Sequence, residues 1–136
     1  MAQSPQRILV AGPGLLGGSV ALAIRERMPE TELRIWARRE AALDALGERG
    51  FEKSQLFSEL DSAAKDSDLV ILAMPIGSMG DVSKIIAERG NLAKNAIVTD
   101  VGSVKAPVVD ELTPIFAPTS ATFVGSHPMA GSEKTG

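Results

Sequence analysis

His127 is the only histidine in this chain of 136 residues, and it stands in Gly125-Ser126-His127-Pro128-Met129-Ala130-Gly131-Ser132-Glu133-Lys134. Near pH 7 a neutral imidazole is well matched to accept or polarise a hydroxyl proton while hydride leaves the same carbon. Ser103, in Asp100-Val101-Gly102-Ser103-Val104-Lys105, offers a hydroxyl that donates to one partner and accepts from another. It can therefore orient His127 or touch a substrate. A third segment, Met74-Pro75-Ile76, follows an apolar run in the same way. Singly, a histidine after a strand is more often structural and a Gly-Ser pair is usually a turn. Their weight comes from a glycine turn near the start of the chain.

That turn is Gly12-Pro13-Gly14-Leu15-Leu16-Gly17, a match to G-x-G-x-x-G directly after the apolar Arg7–Ala11 and directly before a helical pattern. In such a setting the first glycine makes the tight turn, the second clears space for a pyrophosphate, and the third lets helix and strand pack closely. The helix start then turns free N–H groups and the positive end of its dipole toward the phosphates. The alternative is a glycine-rich connection that binds nothing, and the flanking strand and helix weigh against it.

Turns of this kind usually have Asp or Glu about 20 residues later to accept the ribose hydroxyls of NAD. Here that place holds Ala37, followed by Arg38 and Arg39. Two guanidinium groups suit a 2′-phosphate instead, through charge-assisted and bidentate hydrogen bonds. NADP is thus expected over NAD. A slip of the alignment would bring Glu40 into the acidic role, and the two arginines would then be solvated charge.

The elements that must hold these residues alternate. Strands are expected at Arg7–Ala11, Leu33–Ala37, Leu69–Ala73, Ala96–Thr99 and Ala121–Gly125, and helices at Leu15–Met28, Glu40–Glu48, Gly80–Arg89 and a brief Val108–Leu112 starting at Pro107. Leu60–Lys65 reads as a further helical fragment, and from Phe51 to Asp61 strand and loop are balanced. Strand and helix in alternation predict an α/β fold with a doubly wound, mainly parallel sheet: a dinucleotide-binding domain over residues 1–136. In such sheets ligands bind beyond the carboxyl ends of the strands. This places Met74, Pro75, Asp100 and Gly102 beside a cofactor and His127 and Ser103 beside its reactive ring.

Composition narrows the partners. The formal net charge is −3, which provides no broad basic field for nucleic acid. No apolar run nears the length of a membrane span, and the first residues lack the basic-then-apolar order of a signal peptide, so a cytoplasmic protein is expected. One histidine and no cysteine leave no apparent metal site. Trp36 is expected to pack around the sheet, and Asp66 and Asp68 to cap or flank the strand that follows them. Lys105 and Lys134 can reach substrate carboxylates or stand solvated.

Three stretches, Gly12–Ser19 (GPGLLGGS), Asp100–Lys105 (DVGSVK) and Val124–Gly136 (VGSHPMAGSEKTG), resemble, in order, the motifs of the prephenate/arogenate dehydrogenase family of tyrosine biosynthesis. The last is long and specific, whereas many dehydrogenases share the first. The resemblance implies an oxidative decarboxylation. Hydride leaves the ring carbon bearing the hydroxyl, the ring carboxylate departs as carbon dioxide, and a phenol results. It also implies that His127 hydrogen-bonds the ring hydroxyl, that Ser103 contacts His127 and the nicotinamide or hydroxyl, and that Ser132 and Glu133 lie at the substrate entrance. Many relatives have Asp where this chain has Ala37, a departure that again favours NADP. Relatives also continue into a helical domain that dimerises and supplies an arginine for a substrate carboxylate. This sequence therefore reads as a fragment whose full-length form is a homodimer. Two other readings stay open: a module that holds NADP without catalysis, and a dehydrogenase of another small acid.

Overall fold

The computed structural model describes residues 5–12, 14–101 and 105–125. Ser103, His127, Ser132, Glu133, Gly102 and Pro13 lie outside the described residues, as do the side chains of Leu15 and Leu16.

The chain begins with β1 (Arg7–Ala11), α1 (Leu15–Arg27) and β2 (Glu32–Trp36). It continues through α2 (Glu40–Glu48), a 3-10 turn (Lys53–Gln55), the two-residue β3 (Leu56–Phe57) and α3 (Leu60–Ala64). Then come β4 (Leu69–Leu72), α4 (Ile76–Arg89), β5 (Ile97–Asp100), α5 (Lys105–Phe116) and β6 (Thr122–Val124). The six strands form one sheet in the order β3-β2-β1-β4-β5-β6, with every pairing parallel. Because β1 and β4 are central, the order reverses between them, and a crevice opens at their carboxyl ends.

Alternation along each strand sorts the core into two layers. Leu9, Ala11, Val70, Leu72 and Val98 face α3, α4 and α5, where Met79, Val82, Ile86, Leu112 and Phe116 meet them. Ile8, Val10, Leu33 and Ile35 face α1 and α2, against Ala21, Ile24 and Leu46. Burial on both faces explains why the central strands read as unbroken apolar runs. Toward β5 and β6 the α1 side stays open among the described residues, and Ile97 and Val124 are 45% and 48% exposed.

The sequence expectations hold for the element types, with shifts of a residue or so at several ends. Two helices are longer than expected. α4 starts at Ile76 instead of Gly80, since Pro75 serves as its N-cap and both Gly77 and Gly80 lie within it. Glycine weakens a helix by about 1 kcal/mol, an amount that packing against the sheet overrides. α5 begins at Lys105, so that Pro107 falls in the first turn, where no intrahelical N–H bond is lost. It also runs through Pro114 to Phe116, anchored by the fully buried Leu112 and Phe116. In the balanced region before Asp61, β3 forms by pairing Leu56 and Phe57 with Ile35 and Trp36.

Charged side chains tie the amino ends of the strands together. Glu32 accepts from Arg7 at 2.8 Å and from Arg34 at 3.0 Å. The hydrogen bond from Arg7, and then Arg34, holds the Glu32 carboxyl below its ordinary range, against an opposing effect of partial burial. Arg34 also donates to the carbonyls of Lys65 at 2.8 Å, Ala63 at 3.1 Å and Ser62 at 3.3 Å, closing the end of α3. Asp68 flanks its strand as expected and also reaches across to β1: its carboxylate accepts from the Gln6 amide at 2.7 Å.

Candidate functional site

The carboxyl edge of the sheet is laced by bonds that continue past the strands. The Gly12 amide donates to the Trp36 carbonyl at 2.8 Å, Ala73 to Ala11 at 2.8 Å, Val101 to Leu72 at 3.1 Å and Ala37 to Phe57 at 3.2 Å. These bonds bring the first turn, the end of β2, the Met74-Pro75 segment and the end of β5 to one rim. Most of the sequence-selected positions that the structure describes sit there.

Within the turn, Gly12 has φ +86°, a left-handed conformation that side chains other than glycine rarely take. A Cβ on it would also lie 3.0 Å from the Met74 Cβ. Gly17 packs against the Gly12 carbonyl and would bring a Cβ to 2.9 Å from that of Ala73. Gly14, in contrast, would carry its Cβ into open space, with nothing within 4 Å. It is the N-cap of α1, and no side chain caps that helix start. A helix N-terminus whose N-cap supplies no side-chain acceptor, beside open space at Gly14, fits a pyrophosphate, whose oxygens would accept from its first amides.

At the end of β2, Ala37 is 2% exposed and carries no polar group to meet a ribose. Arg38 and Arg39 follow, both exposed, and neither guanidinium is paired with a carboxylate among the described residues. Arg39 is the N-cap of α2. A cation there opposes the helix dipole, so helix stability gives no reason for its presence. Glu40 is exposed in the first turn of α2. Trp36 is buried, as expected from its sequence position, and its Nε1–H donates to the Ser58 carbonyl at 3.1 Å. A second contact lies beyond the sequence expectations: the Arg38 Cζ stands 5.9 Å from the centre of the indole. Only the placing of a tryptophan two residues before an arginine at a strand end hinted at it.

Met74 is partly buried against the α4 layer, and Pro75 opens α4. Asp100 is wholly buried at the end of β5, paired in register with Leu72. A buried carboxylate is held by its neighbours, so this side chain presents no open surface toward the crevice. No cluster of three or more metal-ligating side chains occurs, and no helix is long and apolar enough to cross a membrane, among the described residues.

A six-stranded parallel sheet in 3-2-1-4-5-6 order, with a glycine turn from β1 into α1, is the architecture of dinucleotide-binding domains. The family model described as the prephenate dehydrogenase nucleotide-binding domain matches residues 20–136. This chain belongs to that family. Prephenate dehydrogenase of Lactococcus lactis is 37% identical over 96% of this chain and 36% of its own length. That of Bacillus subtilis is 34% identical over the whole chain and 36% of its own length. The chain thus spans little more than a third of these curated relatives. Among solved structures, prephenate dehydrogenase from A. aeolicus in complex with hydroxyphenyl propionate and NAD+ superposes with a TM-score of 0.80 at 26% identity, covering 96% of this chain and 44% of that one. Arogenate dehydrogenase from Synechocystis gives 0.75 at 26% identity over 90% of this chain and 40% of that one.

Proposed function

We propose that this chain is the nucleotide-binding domain of an NADP-preferring oxidoreductase that oxidatively decarboxylates prephenate or arogenate in tyrosine biosynthesis. The reaction class is supported by the names of the relatives. The cofactor preference rests on one observation: a buried, apolar Ala37 stands where a ribose-binding acid would be, and two exposed arginines with no carboxylate partner among the described residues follow it. The A. aeolicus relative was solved with NAD+, so the preference proposed here is a property of this chain's own residues.

In this reading Gly12, Gly14 and Gly17, with the backbone of Pro13, Leu15 and Leu16, form the pyrophosphate turn, and Arg38 and Arg39 take the 2′-phosphate. Met74, Pro75, Asp100 and Gly102 form the wall toward the nicotinamide, with Asp100 acting from within the wall. When bound, the nicotinamide accepts the hydride. His127 takes the hydrogen bond of the ring hydroxyl and its developing acidity, Ser103 orients His127, and Ser132 and Glu133 line the substrate entrance. A helical domain following this one, which dimerises and contributes an arginine to the substrate carboxylate, completes the active protein. The 136 residues alone are then expected to bind NADP and to turn over prephenate weakly or not at all.

Calorimetric titration with NADP and NAD, repeated after Arg38→Ala, tests the preference. NADP should lose roughly 1–3 kcal/mol, the scale of a hydrogen bond to a charged group, while NAD changes little. Equal losses for both cofactors would refute the 2′-phosphate assignment. Carbon dioxide release with NADPH formation, from prephenate and from arogenate in the full-length protein, tests the reaction.

A further inference from the structure

We propose that Trp36 is a positioning residue for cofactor discrimination: its indole holds the Arg38 guanidinium at the mouth of the dinucleotide site and keeps it from neighbouring carboxylates. This rests on the reading of Arg38 as the 2′-phosphate ligand.

Trp36 and Arg38 line one groove of about 290 Å³ between β2, α3 and α4. The same groove is lined by Glu59, Asp61 and Asp81, with Arg89 as a second cation. An arginine that shares a groove with carboxylates can turn toward one of them and be neutralised. Here it does not: the guanidinium lies over the indole, 5.9 Å from the ring centre, with no carboxylate partner among the described residues. A cation over a tryptophan face is attracted by the ring quadrupole without its charge being cancelled. Such a cation remains free to attract an incoming dianion.

The platform is itself fixed. Trp36 is 7% exposed, packs in the core layer with Leu60, Met79 and Val82, and is anchored at Nε1 by the Ser58 carbonyl at 3.1 Å. The ring's orientation is therefore set by β2, by the loop after β3 and by two helices. Arg38 inherits its direction from that packing. Without the aromatic platform Arg38 would be freer to turn toward the carboxylates that share its groove.

The test compares NADP and NAD dissociation constants in the 136-residue protein and in Arg38→Ala, Trp36→Leu and Trp36→Phe, with the fold of each variant checked by circular dichroism. Trp36→Leu should reduce the ratio of NADP to NAD affinity by about two- to five-fold, the range expected for an exposed cation–π contact. Trp36→Phe, which keeps a ring face, should retain most of the preference. If Arg38→Ala abolishes the preference while a folded Trp36→Leu leaves it intact, the positioning role is wrong and the cofactor reading stands. If Arg38→Ala leaves the ratio unchanged, the cofactor reading itself fails and the positioning role falls with it. Should Trp36→Leu not fold, emission of the sole tryptophan decides. It should differ between the wild type and Arg38→Ala, and should respond more to saturating NADP than to NAD; identical emission in both proteins would overturn the proposal.

Discussion

Gly17 in α1 faces the carbonyl oxygen of Gly12 so closely that a Cβ on Gly17 would overlap it, and that Cβ would also stand 2.9 Å from the Cβ of Ala73. The helix therefore rests on β1 and the end of β4 through a bare backbone. Gly14, three residues earlier, has nothing within 4 Å of the same position. Gly17→Ala should cost about 1–3 kcal/mol of stability, the scale of overpacking, read from the midpoint of urea unfolding. Gly14→Ala should move the midpoint less and weaken NADP binding more for its effect on stability. Equal destabilisation by the two changes would contradict this division of labour.

Gly80 presents the opposite case inside α4. Its missing Cβ is filled by the carboxylate of Glu111 from α5. Glu111 is exposed at the far end of a flexible side chain, so it can turn outward without disturbing either helix. Alanine also gains about 1 kcal/mol of helix propensity over glycine. Gly80→Ala should leave the thermal midpoint unchanged or raise it, and a fall comparable to that of Gly17→Ala would show that the α4–α5 contact needs Glu111 where it is.

Arg34 is the clasp of α3. Its side chain is 14% exposed, and its NH1 reaches three carbonyls at the end of that short helix, the best at 2.8 Å. Arg34→Leu should lower stability by about 1–3 kcal/mol through orphaned carbonyls and an unpartnered Glu32 oxygen. Arg34→Lys should recover part of it, because an ammonium can reach one carbonyl but cannot span the set. Guanidinium unfolding of the two variants side by side checks the order.

Glu32 makes the fold weakly acid-sensitive. Its folded-state pKa lies below the ordinary 4.5, chiefly because of the hydrogen bond from Arg7. A depressed carboxylate stabilises the folded state above its unfolded pKa, and that contribution is lost as pH falls through the lower folded value. Wild-type stability should therefore decline below about pH 4.5 more steeply than that of Glu32→Gln. The carboxylate is 48% exposed, so the difference should be small and should shrink in high salt. Parallel pH profiles for both proteins would disprove the linkage.

Much of the fold was legible because its signals are local. Ile8, Leu9 and Val10 form a run too short for a buried helix and break at a glycine that only a turn explains, and Leu69–Leu72 is equally short and is closed off by Pro75. The open stretch before β3 was not legible. Leu56 and Phe57 are strand only because Ile35 and Trp36 lie beside them, and two residues carry no period of their own. Glycine and proline misdirected the ends of α4 and α5, where burial of Met79, Leu112 and Phe116 outweighs the local penalty.

By itself the sequence determined the glycine turn, the alternation of strand and helix, and the placing of Ala37, Arg38 and Arg39 at the end of the second strand, since each depends on neighbours along the chain. Tertiary structure alone decided that β4 lies beside β1, that Asp100 is buried, that Arg34 closes α3 and that the Trp36–Arg38 pair shares a groove with Glu59, Asp61 and Asp81. These contacts join residues whose proximity is set by strand register and helix packing, and neither is written in any local stretch of residues.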